Sequence, residues 1–274
     1  MRLHLHLLSD STGETLENIA KAALAQYDDV ETIRHFWPMV RTEAHLERIL
    51  QEIAQNPGLV LFTLVNDQLR GMLQDGCRRL QLPCIPVLEP VIGALGSFFG
   101  LKSRGLPGRQ HELDAEYFER IDAMSFALAH DDGQSSWTYD QADVILVGVS
   151  RTSKTPTCIY LANRGIKAAN VPVVPNCPLP PELLTARRPL IVGLTKDPVH
   201  LVQVRRNRLL LLSQDQETDY VDPEIVRQEV AAARRLFAEH DWPVIDVSRR
   251  SIEETAATII QLLGRQHGGT AGRP

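Results

Sequence analysis

Leu3, Leu5 and Leu7 alternate with polar neighbours, the period of a strand with one buried face. The pattern breaks over Ser9 to Gly13. Leu16, Ile19, Ala20, Ala23 and Leu24 then recur at helical spacing, and Ser11 with Glu14 has the S-x-x-E relation of a capping box at the helix start. The alternation continues with a strand over 32–37, a helix over 43–55, a strand over 59–64, a helix over 67–80 and a strand over 84–87. Gly93, Gly96, Gly100, Gly105 and Gly108, with Pro107, mark the stretch from Gly93 to Gln110 as a boundary. A connecting helix is predicted beyond it over 115–130, with Tyr117, Ile121, Met124 and Leu128 on its apolar face.

A second alternating series opens at Asp143. The apolar run to Val147 is that of a strand covered on both faces. A helix over 155–163, strands over 170–174 and 190–194, and an arginine-rich segment over 199–212 follow. Asp222 and Pro223 form a helix start with proline at the first helical position, and Val226, Val230, Ala233 and Phe237 supply its apolar face. After a strand over 244–247, Ser251 and Glu254 repeat the capping box ahead of Ile252, Ala256, Ile259, Ile260 and Leu263. The glycine-rich tail from His267 to Pro274 is expected to be disordered. Strands alternating with helices imply parallel sheets. The expected class is α/β: an N-terminal α/β parallel-sheet domain over 1–104, a connecting segment over 105–138, and a larger C-terminal domain over 139–274.

Composition adds exclusions. A net charge of −5 provides no basic field for nucleic acid. No run approaches the roughly 18 apolar residues of a membrane span, and the start lacks the unbroken apolar stretch of a signal peptide. Cys77, Cys84, Cys158 and Cys177 form no C-x-x-C pair, so small buried side chains in a cytoplasmic protein are expected. The histidines show no zinc-ligand spacing, and His4 and His6 are expected on the polar face of the first strand.

The chemistry lies in Gly148, Val149, Ser150, Arg151, Thr152, Ser153, Lys154 and Thr155. A phosphate loop needs consecutive backbone N–H groups curling round an oxyanion at a helix N-terminus, a lysine to neutralise charge and a hydroxyl for the metal. Gly148 is expected to let the chain turn off the strand, Lys154 to reach the β-phosphate of a nucleotide and Thr155 to ligate Mg2+. Ser153 stands where G-x-x-x-x-G-K-[ST] has glycine, and a positive φ there costs about 1 kcal/mol. The alternative is a polar turn with Lys154 solvated and Thr155 capping the helix; the buried-type strand before it and the helix after it favour the functional reading.

The string from Asp143 to Pro175 resembles the bacterial pyruvate, phosphate dikinase regulatory proteins, a kinase and phosphorylase family. Ser9 to Thr15, Pro107 to Asp114 and Phe126 to Gly133 extend the resemblance over nearly the whole chain. It implies a P-loop kinase-like C-terminal domain in a serine/threonine protein kinase that uses ADP to phosphorylate an active-site threonine of the dikinase. It also implies a phosphorylase that removes this group with inorganic phosphate, releasing pyrophosphate. Gly148 to Thr155 match the family's nucleotide loop residue by residue. A sister group acting on phosphoenolpyruvate synthase is similar but carries Cys-Gly at the positions of Thr152 and Ser153, which favours the dikinase as partner.

Other residues have weaker signals. Arg205, Arg206 and Arg208 follow Lys196, Asp197 and Pro198, where a phosphotransferase places a lid that clamps developing charge; a solvated helix face is the alternative, and Arg151 inside the loop is placed to do likewise. A carboxylate that orients or deprotonates the acceptor hydroxyl is to be sought among Asp10, Asp131, Asp132 and Asp197, with the 130–133 cluster first. The expected catalytic set is Lys154, Asp131, Arg205 and Arg208. The junction at Ser9 to Gly13 is a second candidate anion site, though capping alone accounts for it. A small-molecule kinase and a nucleotide-sensing module without chemistry remain as competing readings, and a homodimer is left open.

Overall fold

The structure is a computed structural model, and it describes residues 2–108, 115–175, 177–211 and 218–268. The chain divides into two compact units, Met1–Glu112 and Leu113–Pro274. Each is a mixed α/β unit built on a four-stranded parallel sheet.

The first unit runs β1 (Arg2–Ser9), α1 (Glu14–Leu24), β2 (Glu31–Trp37), α2 (Glu43–Gln55), β3 (Gly58–Thr63), α3 (Asp67–Arg79), β4 (Cys84–Pro86) and α4 (Glu89–Phe99). Its strand order is β2-β1-β3-β4. Leu8, Ile49, Ile53, Phe62 and Leu73 belong to one core cluster, and Leu5, Leu7, Leu16 and Ala20 to another. Thr42 and Asn66 cap α2 and α3 by accepting from His45 N and Leu69 N.

Three expectations for this unit are corrected. The Ser11–Glu14 capping box is absent: α1 starts from Gly13 at φ 83 with no side-chain cap. The chain enters the helix through a left-handed residue instead of an extended one. A Cβ at Gly13 would lie 2.6 Å from the Phe36 ring, so glycine is required twice over. His6 does not face water. It is fully buried, stacked 4.4 Å from His35, with Nε2 donating to Asn56 O and Nδ1 accepting from Trp37 Nε1. Burial holds its pKa below the ordinary histidine value. A central parallel strand is covered on both faces, so alternation there did not mark a wet side. The boundary from Gly93 holds most of α4, a helix whose apolar residues Val91, Leu95 and Phe98 stay exposed. Residues 109–114, including Gln110 to Asp114 of the family-like string, lie outside the described residues.

The second unit opens with α5 (Ala115–Ala129) and 3-10 turns at Asp131–Gly133 and Ser136–Gln141. It continues β5 (Val144–Gly148), α6 (Lys154–Ala162), β6 (Ala168–Pro172), α7 (Pro181–Thr185), β7 (Leu190–Thr195) and α8 (Pro198–Leu211). A 3-10 turn at Asp219–Val221 leads to α9 (Pro223–Glu239), β8 (Val244–Asp246) and α10 (Ile252–Gly268). The order β6-β5-β7-β8 repeats the arrangement of the first unit, with the first strand of each unit inside its sheet. Every residue of β5 is buried, as its apolar run predicted.

The helix read as a connector packs into this unit; its buried stripe is Ala123, Phe126 and Ala127, with Met124 of the predicted face packed partly buried against it. Ile121 and Leu128 are exposed. The alanines allow close packing, so bulk was a misleading guide to the inward side. The Ser251–Glu254 box forms in full, Glu254 N donating to Ser251 Oγ and Ser251 N to the Glu254 carboxylate. β6 begins two residues earlier than expected. The predicted disordered tail begins two residues too early, since α10 includes 267 and 268; the rest lies outside the described residues.

Candidate phosphate site

The loop between β5 and α6 has two left-handed residues, Arg151 at φ 71 and Ser153 at φ 63. Such turns bring successive N–H groups onto one concave side. Thr152 is fully buried and donates from Oγ1 to Val149 O at 2.9 Å, closing the loop from within. Gly148 has no positive φ, so a turn off the strand is not what requires glycine. Close approach is: a Cβ there would lie 2.6 Å from Leu194 O on β7 and 2.8 Å from Thr152 Oγ1.

Lys154 is the first residue of α6, 6% exposed, and its Nζ donates to Val149 O at 3.2 Å across the loop. Burial pushes its pKa down to about 8, against the pull of Asp132 and Asp131. It is not solvated, which removes half of the polar-turn alternative.

Thr155 does not cap α6; Ser153 holds that place without a side-chain cap. The Thr155 hydroxyl donates to Asp131 Oδ1 at 2.8 Å. Asn170, on the neighbouring strand β6, donates from Nδ2 to the same Asp131 oxygen and to Thr155 Oγ1 at 3.0 Å. Three segments distant in sequence thus place a hydroxyl, a carboxylate and an amide together at the helix start. The turn carrying Asp131 is fixed by His130, whose ring stacks 3.7 Å from Phe126, whose Nδ1 donates to Phe126 O, and whose backbone O accepts from Asn170 N.

Arg205 is 1% exposed and occupied: its guanidinium pairs with Glu229 at 2.7 Å, donates to Tyr220 O at 3.0 Å and reaches Ser150 O at 3.4 Å. It also lies over the Tyr220 ring, whose hydroxyl meets Ser150 Oγ and accepts from Arg151 Nε. This arginine supports the loop from behind. Arg206 and Arg208 lie exposed on the same helix, and among the described residues Arg208 makes no hydrogen bond or ion pair. Asp197 caps α8 by accepting from His200 N.

The profile of the kinase/pyrophosphorylase family matches residues 5–260. A relative from Rhizorhabdus wittichii is 60% identical over 97% of both chains. One from Sphingopyxis alaskensis is 61% identical over 96% of this chain and 97% of its own. One from Caulobacter vibrioides is 55% identical over 97% and 84%. All three carry, provisionally, the name pyruvate, phosphate dikinase regulatory protein. The chain belongs to the kinase/pyrophosphorylase family. A solved ABC transporter solute-binding protein from Agrobacterium vitis covers 90% of the chain at 16% identity and a TM-score of 0.22, too slight a likeness to bear on the fold.

Within this family member, the predicted residues Lys154, Thr155 and Asp131 come together, while Arg205 stands behind the loop and Arg208 outside the cluster. Asn170, Tyr220 and Glu229 were not predicted. Asn170 had a signal, since it interrupts the apolar run of a buried strand. Tyr220 and Glu229 had none, because their partners lie far away in sequence.

In the first unit, Ser9, Asp10, Ser11, Gly13 and Thr63 line a cavity of about 190 Å3 at the carboxyl ends of β1 and β3. Asp10 is buried there, accepting from Val65 N at 2.7 Å, and burial raises its pKa. Cys77 and Cys158 are buried as expected, whereas Cys84 is half-buried and Cys177 exposed. No helix of the described residues is long and apolar enough to cross a membrane.

Proposed function

We propose that the chain is a bifunctional ADP-dependent serine/threonine protein kinase and phosphate-dependent pyrophosphorylase acting on pyruvate, phosphate dikinase. The observation carrying it is the strand-loop-helix at 148–155, in which a buried lysine lies across a loop with two left-handed residues, and we read it as a P-loop kinase-like junction. The family's description and the names of the relatives support the chemistry and the partner.

In the forward direction the loop N–H groups and Lys154 hold the β-phosphate of ADP. The dikinase threonine oxygen forms a bond to that phosphorus, the bridge to the α-phosphate breaks, and AMP leaves. In the reverse direction inorganic phosphate occupies the same nest and attacks the phosphothreonine, giving pyrophosphate and the free hydroxyl. Both transfers spread negative charge over equatorial oxygens, which a nest and a buried cation stabilise in place. Asp131 helps to orient the acceptor hydroxyl. Thr155 and Asp131, held together by a 2.8 Å hydrogen bond between Thr155 Oγ1 and one carboxylate oxygen, are the hard oxygen donors that would hold a Mg2+ ion, which would supply charge neutralisation on the phosphates.

Intact-mass measurement of the dikinase after incubation with ADP and this protein tests the reading. A gain of one phosphoryl group on a threonine, lost again on adding phosphate with release of pyrophosphate, is expected. An unmodified dikinase under conditions where the protein binds ADP overturns it.

A further inference from the structure

Asn170 is 1% exposed and belongs to a strand otherwise filled by Ala168, Ala169 and Val171. A buried amide in such a strand is unfavourable unless its hydrogen bonds are made. Here the nitrogen is satisfied twice, by Asp131 Oδ1 and Thr155 Oγ1, while Oδ1 has no partner among the described residues. The orphaned buried oxygen belongs to the amide that ties the carboxylate to the hydroxyl, and a buried polar atom left without a partner commonly marks a bound water or ion.

The pattern of bonds is directional. Both Thr155 and Asn170 donate to Oδ1 of Asp131, so the other carboxylate oxygen is left without a protein partner among the described residues. Leucine or valine at 170 would fill the strand equally well and would leave the carboxylate held by Thr155 alone. The amide instead ties one oxygen in place, and the backbone N–H of Asn170 tethers the turn carrying Asp131 through His130 O at 3.1 Å.

We propose that Asn170 is a positioning residue for a divalent cation: it fixes one oxygen of Asp131 against the Thr155 hydroxyl and thereby presents the other Asp131 oxygen, beside Thr155, as cation ligand. This rests on the phosphate-site reading only in that the cation arrives with ADP. Partners that orient metal ligands typically contribute 10- to 100-fold to affinity, so about tenfold is expected here.

The test is a titration of Mn2+ into the full chain with ADP, following loss of the free-ion electron paramagnetic resonance signal. Asn170→Ala should weaken Mn2+ binding about tenfold, with ADP binding in chelator changed by less than about twofold. Asp131→Asn should weaken it at least as much. Adding Asn170→Ala to Asp131→Asn should then have little further effect, because the amide acts through the carboxylate. Independent, additive losses would mean general damage to the site and overturn the proposal, as would unchanged Mn2+ affinity in Asn170→Ala or no Mn2+ binding by the wild-type chain with ADP. None of these readouts uses the dikinase, so they stand apart from the kinase reading, which the mass measurement decides.

Discussion

At the scale of single residues, Lys154 and Ser153 show how position changes chemistry. An ordinary lysine stays charged to well above neutral pH, but burial brings Lys154 to about 8. The sign follows directly: below this value the group is cationic and attracts phosphate, and above it the charge is lost. Raising the pH from about 7 to about 9 should therefore weaken ADP binding about tenfold, measured by calorimetry. Lys154→Met should bind weakly at both, and a wild-type affinity flat over this range would mean that the lysine does not face the anion. Ser153 has the backbone of a glycine, φ 63, at the one position where the chain departs from the phosphate-loop pattern. Ser153→Gly should alter stability by no more than about 1 kcal/mol, since relief of strain is offset by unfolded-state entropy. Ser153→Val, β-branched at positive φ, should lose about 2 kcal/mol. Urea unfolding compares them, and a harmless valine would rule out the left-handed turn.

At the scale of elements, the strands and helices were legible where one period dominated. The buried run of β5 and the capping box of α10 could be read directly, because each is a local pattern. The inward face of α5 could not, because two alanines do more packing there than isoleucine and leucine. Arg205 is the clearest case of context. Sequence placed it among lid arginines, yet it joins α8 to Glu229 on α9, to Tyr220 O and to Ser150 O of the loop. Arg205→Ala leaves the half-buried Glu229 without its partner and should destabilise the protein by about 2–3 kcal/mol, below the cost of breaking a fully buried pair. Changing both, Arg205→Met with Glu229→Leu, should be far milder, because no charge is stranded. Equal losses in the two variants, measured by urea unfolding, would mean that packing rather than charge sets the cost.

At the scale of the whole molecule, the two units repeat one strand order, and each sends its first strand through a loop into a helix that begins after a left-handed residue, Gly13 or Ser153. Thr12, Gly13, Glu14 and Thr15 stand where Thr152, Ser153, Lys154 and Thr155 stand, with the charge at the helix start inverted. A glutamate repels phosphate where a buried lysine attracts it, so under the proposed function the polyphosphate is expected at the second unit. If that unit has one nest serving ADP in one direction and inorganic phosphate in the other, the two reactions exclude each other at the level of occupancy. Phosphate should then raise the apparent KM for ADP in dikinase phosphorylation while leaving kcat unchanged, and ADP should do the same to phosphate in the reverse reaction. Initial rates over a grid of both concentrations measure this. A fall in kcat at unchanged KM would require the two anions to bind together, and the shared nest would have to be given up in favour of separate sites.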